Sequence, residues 1–158
     1  MTGLPQLGRR GGGWVALQVL LIAAVAVTGF LGPRWPGSAR LWLAIASAPF
    51  WLAGVWLFAA GGSRLGRLLT PFPKPAPGGT LREDGAYGLV RHPIYGSVLI
   101  LAPAFALVTS PLVFAVWVVA AAFLDTKRRR EEAWLLEQYA GYADYRRRVR
   151  RKFIPFVW

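Results

Sequence analysis

The sequence predicts an all-α integral membrane fold, and three observations carry that prediction. Hydrophobic residues make up 55% of the 158 positions and charged residues 16%, which leaves too little polar surface to cover a water-soluble core. Four apolar runs occur along the chain, at 14–31, 41–60, 94–108 and 112–124. The formal net charge of +12 falls wholly outside those runs, the distribution expected of a chain whose loops face anionic lipid head groups.

Each element follows in order. The first run is preceded by Arg9 and Arg10, as in a secretory signal. It is longer than a typical signal core, however, and no small-x-small cleavage site follows, so it reads as a retained helix. A span needs ~20 apolar residues to cross ~30 Å of hydrocarbon, and both 14–31 and 41–60 meet that length, joined by the turn GPRWPGSAR. A polar stretch from 61 to 89 comes next. Within it TPFPKPAPGG at 70–79 is barred from helix, because proline lacks the amide donor and imposes extended backbone. The runs 94–108 and 112–124 are each too short to cross squarely and are split by Thr109, Ser110 and Pro111. They read as a tight helical hairpin, with Pro93 in a first turn and Pro103 as a candidate kink. Beyond Leu124 an amphipathic pattern of Trp134, Leu135, Gln138, Tyr139 and Tyr142 extends the last helix as far as Tyr139, before Gly141 interrupts it.

The expected architecture is one domain of about four transmembrane helices, two spans plus the hairpin. A cap built from the long loop (61–93) and the C-terminal helices (125–158) completes it. Charge orients the whole. Of 19 Lys and Arg, only Arg34 and Arg40 fall in the first loop; the other 17 lie in the N-terminus, the long loop and the tail, with all seven acids. The positive-inside rule makes that face cytoplasmic, as in a prokaryotic inner membrane protein with both termini in the cytoplasm.

Composition also excludes. Zero cysteines remove disulfides and thiolate chemistry, and a single histidine argues against zinc or non-haem iron, so no metal is expected. The run RRRVRRK at 146–152 lacks the aromatic interleaving of a nucleic-acid module. It reads as a membrane-surface segment, with lipids as partners and no obligate protein partner.

The only histidine sits in GLVRHPIYGS at 88–97. The hairpin returns the chain to the same face, so Tyr87, Arg91, His92 and Tyr95 are expected near Lys127, Glu131 and Glu132. Taken alone, Glu131 and Glu132 would be a solvated helix face paired at i,i+4 with Lys127 and Arg128.

The pattern GAYGLVRHPIY, then EEAWLLEQYAGYADYRRRV, then IPF resembles the isoprenylcysteine carboxyl methyltransferase family, integral-membrane enzymes related in motif to phospholipid N-methyltransferases. The likeness runs over 70–156, a little over half the chain. It implies binding of S-adenosylmethionine (SAM), with S-adenosylhomocysteine as product, by Gly79, Thr80, Leu81 and Arg82, by Tyr87, by His92, Pro93, Ile94 and Tyr95, and by Glu131. Lys127 stands where the family has an arginine, with Arg128 beside it. The resemblance makes both substrate-binding, and Lys127 and Glu131 catalytic. Imidazole and backbone amides suit the ligand's carboxylate, Glu131 its ammonium or ribose, and Tyr87 or Tyr95 its base. The expected activity is in-line methyl transfer to a lipophilic or small carboxylate, amine or thiol at the cytoplasmic face. Two alternatives stand beside it: a nicotinamide-dependent membrane reductase of related architecture, and a non-catalytic lipid-binding protein.

Overall fold

The structure, a computed structural model, describes residues 7–75 and 78–157. The chain ends expected in the cytoplasm, together with Ala76 and Pro77 of the proline-rich segment, lie outside the described residues. Regular structure among those described is entirely helical, comprising α1 (Gly12–Leu31), α2 (Gly37–Leu65), a 3-10 turn (Gly66–Leu68), α3 (Ala86–Leu89), α4 (Pro93–Val108), α5 (Leu112–Gln138) and α6 (Tyr142–Arg148).

Two helical stretches, Gly12–Leu31 and Gly37–Leu68, are long and apolar enough to cross a membrane. Their outward side chains stay uncovered: Leu20 is 65% exposed, Trp42 70% and Leu52 74%. α2 outruns its apolar stretch at both ends. It begins at Gly37 rather than 41 and continues through Gly61, Gly62 and Ser63 to Leu65, where the sequence reading placed loop. Packing overrides the low helix propensity of those glycines. Ser47, Gly54 and Gly61 recur every seven residues on one buried face of α2, so α4 can approach closely. A Cβ at Gly54 would meet Leu101 Cγ at 2.6 Å, and one at Gly61 would meet Pro93 Cγ at 2.9 Å.

α4 starts as the sequence predicts, with His92 as N-cap and Pro93 in the first turn. Pro103 lies inside the helix and cannot donate to the carbonyl of Leu99 four residues earlier. The indole Nε1 of Trp117 on α5 donates to that carbonyl instead, at 3.0 Å, which fastens the hairpin. At the hairpin's far end Trp35 Nε1 donates to the carbonyl of Ala106 at 2.8 Å, tying the α1–α2 turn beside it. The opposite end therefore gathers the start of α1, the long loop, the start of α4, the second half of α5 and the tail.

The tail closes that end. Backbone amides of Arg91 and His92 donate to the carbonyls of Arg151 (3.1 Å) and Lys152 (2.8 Å), and Phe153 is fully buried with Leu99 and Leu124. Gly96 makes this possible, because a Cβ there would fall 1.9 Å from the Phe153 carbonyl oxygen.

Candidate functional site

α4 and α5 run antiparallel from this end, so His92 at the head of one meets the polar turns of the other. His92 Nε2 donates to Glu132 Oε1 at 3.1 Å, since an ionised carboxylate only accepts. Its Nδ1 lies 4.0 Å from Glu131 Oε2. Tyr95, one turn along α4, donates its hydroxyl to Glu131 Oε2 at 2.6 Å and stacks on the imidazole with ring centroids 5.5 Å apart. The imidazole and both acids thus share one site.

The two neighbouring acids do different things, because successive helical residues point ~100° apart. Glu132, only 3% exposed, is a structural anion. Arg91 Nε donates to it at 2.9 Å and Arg128 Nη1 sits at 3.1 Å. Burial alone would raise its pKa. The hydrogen bond from His92 and the charges of Arg91 and Arg128 outweigh burial and hold the carboxyl far below the usual carboxylate range. Arg91 also donates to the carbonyls of Val149 (2.7 Å) and Arg150 (2.8 Å), so Glu132 secures the tail through it. Arg128 is spent on this network and on Asp125 at 2.9 Å. Burial acts to raise the Asp125 pKa too, and it is lowered overall by Arg129, Arg128 and Lys152.

Glu131 faces a polar cavity of about 130 Å³. Of the residues expected at a cofactor site, Gly79, Thr80, Leu81, Arg82, Tyr87, His92 and Glu131 line it. Ile94, Tyr95 and Lys127 line a second, larger cavity of about 490 Å³ among α1, α2, α4 and α5. Pro93 and Arg128 are not among the residues lining either one; Pro93 packs on Gly61, and Arg128 holds Glu132.

The larger cavity is walled by Leu21, Val25, Ala102, Phe105, Trp117 and Phe123 among others, and its polar groups collect at one end, where Gln18, Thr70 and Lys127 sit. Lys127 is fully buried. Its ammonium donates to the carbonyl of Pro71 at 2.9 Å and to the side chain of Gln18, and it lies 5.4 Å from the centre of the Tyr95 ring. Burial, partly opposed by Glu131, pushes its pKa down. Thr70 borders both cavities. The Tyr95–Glu131 hydrogen bond joins a residue of the apolar cavity to one of the polar cavity, so it lies at their junction.

Sequence reasoning did not single out Gln18, Thr70 or Phe72 as site residues, and gave Tyr139, Tyr142 and Tyr145 only a place in the tyrosine-rich motif of the resemblance and, for the first two, in an amphipathic pattern. Gln18 carried a readable signal, an amide inside an apolar run. The polar cavity offers a guanidinium and a hydroxyl donor (Arg82, Thr80), an imidazole (His92), one carboxylate acceptor (Glu131) and apolar walls (Leu65, Phe72, Leu135). That set of groups suits a ligand bearing a carboxylate, a cationic centre and a flat ring. No protein-family model and no curated protein matches the sequence.

Proposed function

We propose that the chain is an integral-membrane, SAM-dependent methyltransferase acting on a lipophilic acceptor. One observation carries this reading: a polar cavity lined by His92, Glu131, Arg82 and Tyr87 abuts an apolar cavity at Thr70 and the Tyr95–Glu131 hydrogen bond. The uncovered apolar faces of α1 and α2 support placing these helices in lipid, because a surface of that kind is unstable in water. In this reading α4 and α5 complete four passes. The site, the long loop and the tail form a cap on the cation-rich cytoplasmic face of an inner membrane, with SAM arriving from the cytosol and the acceptor from the bilayer.

SAM supplies a methyl group on a sulfonium. Arg82 and the Thr80 hydroxyl receive its carboxylate, and Glu131 its cationic end. Glu132 keeps the imidazole of His92 from swinging, the imidazole stacks on Tyr95, and the Tyr95 hydroxyl holds Glu131 in place. Lys127 and Gln18 meet the polar head of the acceptor, a carboxylate, an amine or a thiol, while the apolar walls take its body and exclude water. Alignment of this kind is worth up to ~7–11 kcal/mol. Lysine contributes a point charge rather than a planar fork, so it orients a head group less strictly than arginine.

Calorimetry of the detergent-solubilised full chain with S-adenosylhomocysteine tests the reading, with NADPH as the competing ligand. A dissociation constant in the micromolar range, on the order of −8 kcal/mol, is expected, much weakened by Glu131→Ala. Binding of NADPH alone would favour a reductase. Binding of neither would leave a non-catalytic lipid-binding protein.

A further inference from the structure

Tyr142 is the feature that the packing leaves unexplained. It opens α6, is 1% exposed and lines the polar cavity, yet its hydroxyl has no hydrogen-bond partner among the described residues. A buried hydroxyl without a partner is destabilising, so native structures rarely keep one that nothing uses. Its ring is held in place by Tyr145, packed edge-on at 5.7 Å. The Tyr145 hydroxyl is itself engaged, donating to the Tyr87 carbonyl at 2.8 Å. Burial, with Glu132 and Glu131 nearby, keeps the Tyr142 hydroxyl protonated and so able to donate.

We infer that Tyr142 is a ligand-binding residue, whose hydroxyl donates a hydrogen bond to an acceptor atom on the nucleoside part of the ligand in the polar cavity. This rests on the methyltransferase reading. The assignment to the nucleoside follows from position. The reacting end of the ligand must lie where the cavities meet, at Thr70 and Glu131. Tyr142 borders only the polar cavity, away from the Thr70 junction, and that cavity's lining includes Phe72, Leu135 and Tyr139, apolar and aromatic surface that suits a flat base better than a charged amino-acid group.

The test is Tyr142→Phe in the full chain, with calorimetry against S-adenosylhomocysteine, displacement by adenosine, and thermal unfolding without ligand. The expected result is about tenfold weaker binding of both ligands, with a ligand-free melting temperature unchanged or raised, because an unpaired hydroxyl has gone. Unchanged affinity for both ligands would overturn the inference while leaving the methyltransferase reading intact. Loss confined to S-adenosylhomocysteine would move the contact to the amino-acid end and overturn it as well. A lowered ligand-free melting temperature would mean that the hydroxyl serves the fold instead. If the unsubstituted protein binds neither ligand, the functional reading itself fails and this inference with it.

Discussion

Replacing Glu132 tests how the tail is held against α4 and α5. Its carboxylate takes Arg91 at 2.9 Å, His92 at 3.1 Å and Arg128 at 3.1 Å, with Arg146 at 3.8 Å. Arg91 and Arg128 are themselves only 7% and 6% exposed. Glu132→Ala therefore leaves the buried Arg91 guanidinium without its anion and Arg128 with Asp125 alone, a loss of about 3–5 kcal/mol. Glu132→Gln keeps one acceptor but turns an amide donor toward a cation, so a smaller loss of about 2 kcal/mol is expected. Denaturant unfolding in detergent measures both. Because Arg91 also holds Val149 and Arg150, limited proteolysis should show cleavage near Arg150 and Arg151 well before global unfolding. The pH dependence follows from the same carboxylate. Its folded pKa lies far below its unfolded value, so its contribution is complete above an unfolded pKa of ~4.3 and is lost progressively as pH falls below that. Glu132→Gln should flatten that acid limb. Stability within about 0.5 kcal/mol of the parent for Glu132→Ala, with an unchanged acid limb, would refute the reasoning.

Three further outcomes are expected. Gly96→Ala drives a methyl into the Phe153 carbonyl and should destabilise by about 1–3 kcal/mol, read as a lower melting temperature and early proteolysis of the tail. Trp117→Phe removes the donor that serves the Leu99 carbonyl, at about 1 kcal/mol. In a Pro103→Ala background the restored amide takes over, so a double-mutant cycle should show the indole's contribution shrinking. The folded pKa of Lys127 lies below its unfolded value of ~10.4, so its charge opposes folding and stability should rise with pH as that window is crossed. Lys127→Met should abolish the alkaline rise in unfolding experiments and lower methyl transfer at least tenfold.

Much of the fold was legible because lipid-length apolar runs and proline positions speak for themselves. The start of α4 at Pro93 and the turn at Thr109–Pro111 are read directly from the sequence. The end of α2 was not. Gly61 and Gly62 resemble a loop in composition, and only the close approach of Pro93 shows why they stay helical. At the site, the single histidine and the acids of α5 were readable as partners, since a hairpin returns the chain to one face. Which acid meets the imidazole was not, because neighbours on a helix differ only by rotation, and packing against Arg91 decides it. The same limit applies to Arg128, which the resemblance makes substrate-binding and whose guanidinium pairs with Glu132 and Asp125. Sequence order gave no sign that the expected contacts divide between two cavities. That division arises where Tyr95 and Glu131 meet.

The most direct test of the central claim separates the two cavities in one variant. Ala102 lines only the apolar one, and Ala102→Phe fills part of it without touching the polar one. With labelled SAM and membrane lipid extract, the unsubstituted protein should place label in the lipid-soluble fraction. The variant should lose that transfer while binding S-adenosylhomocysteine as tightly as before. Full transfer with the apolar cavity blocked, or no label in lipid from the unsubstituted protein, would contradict the account.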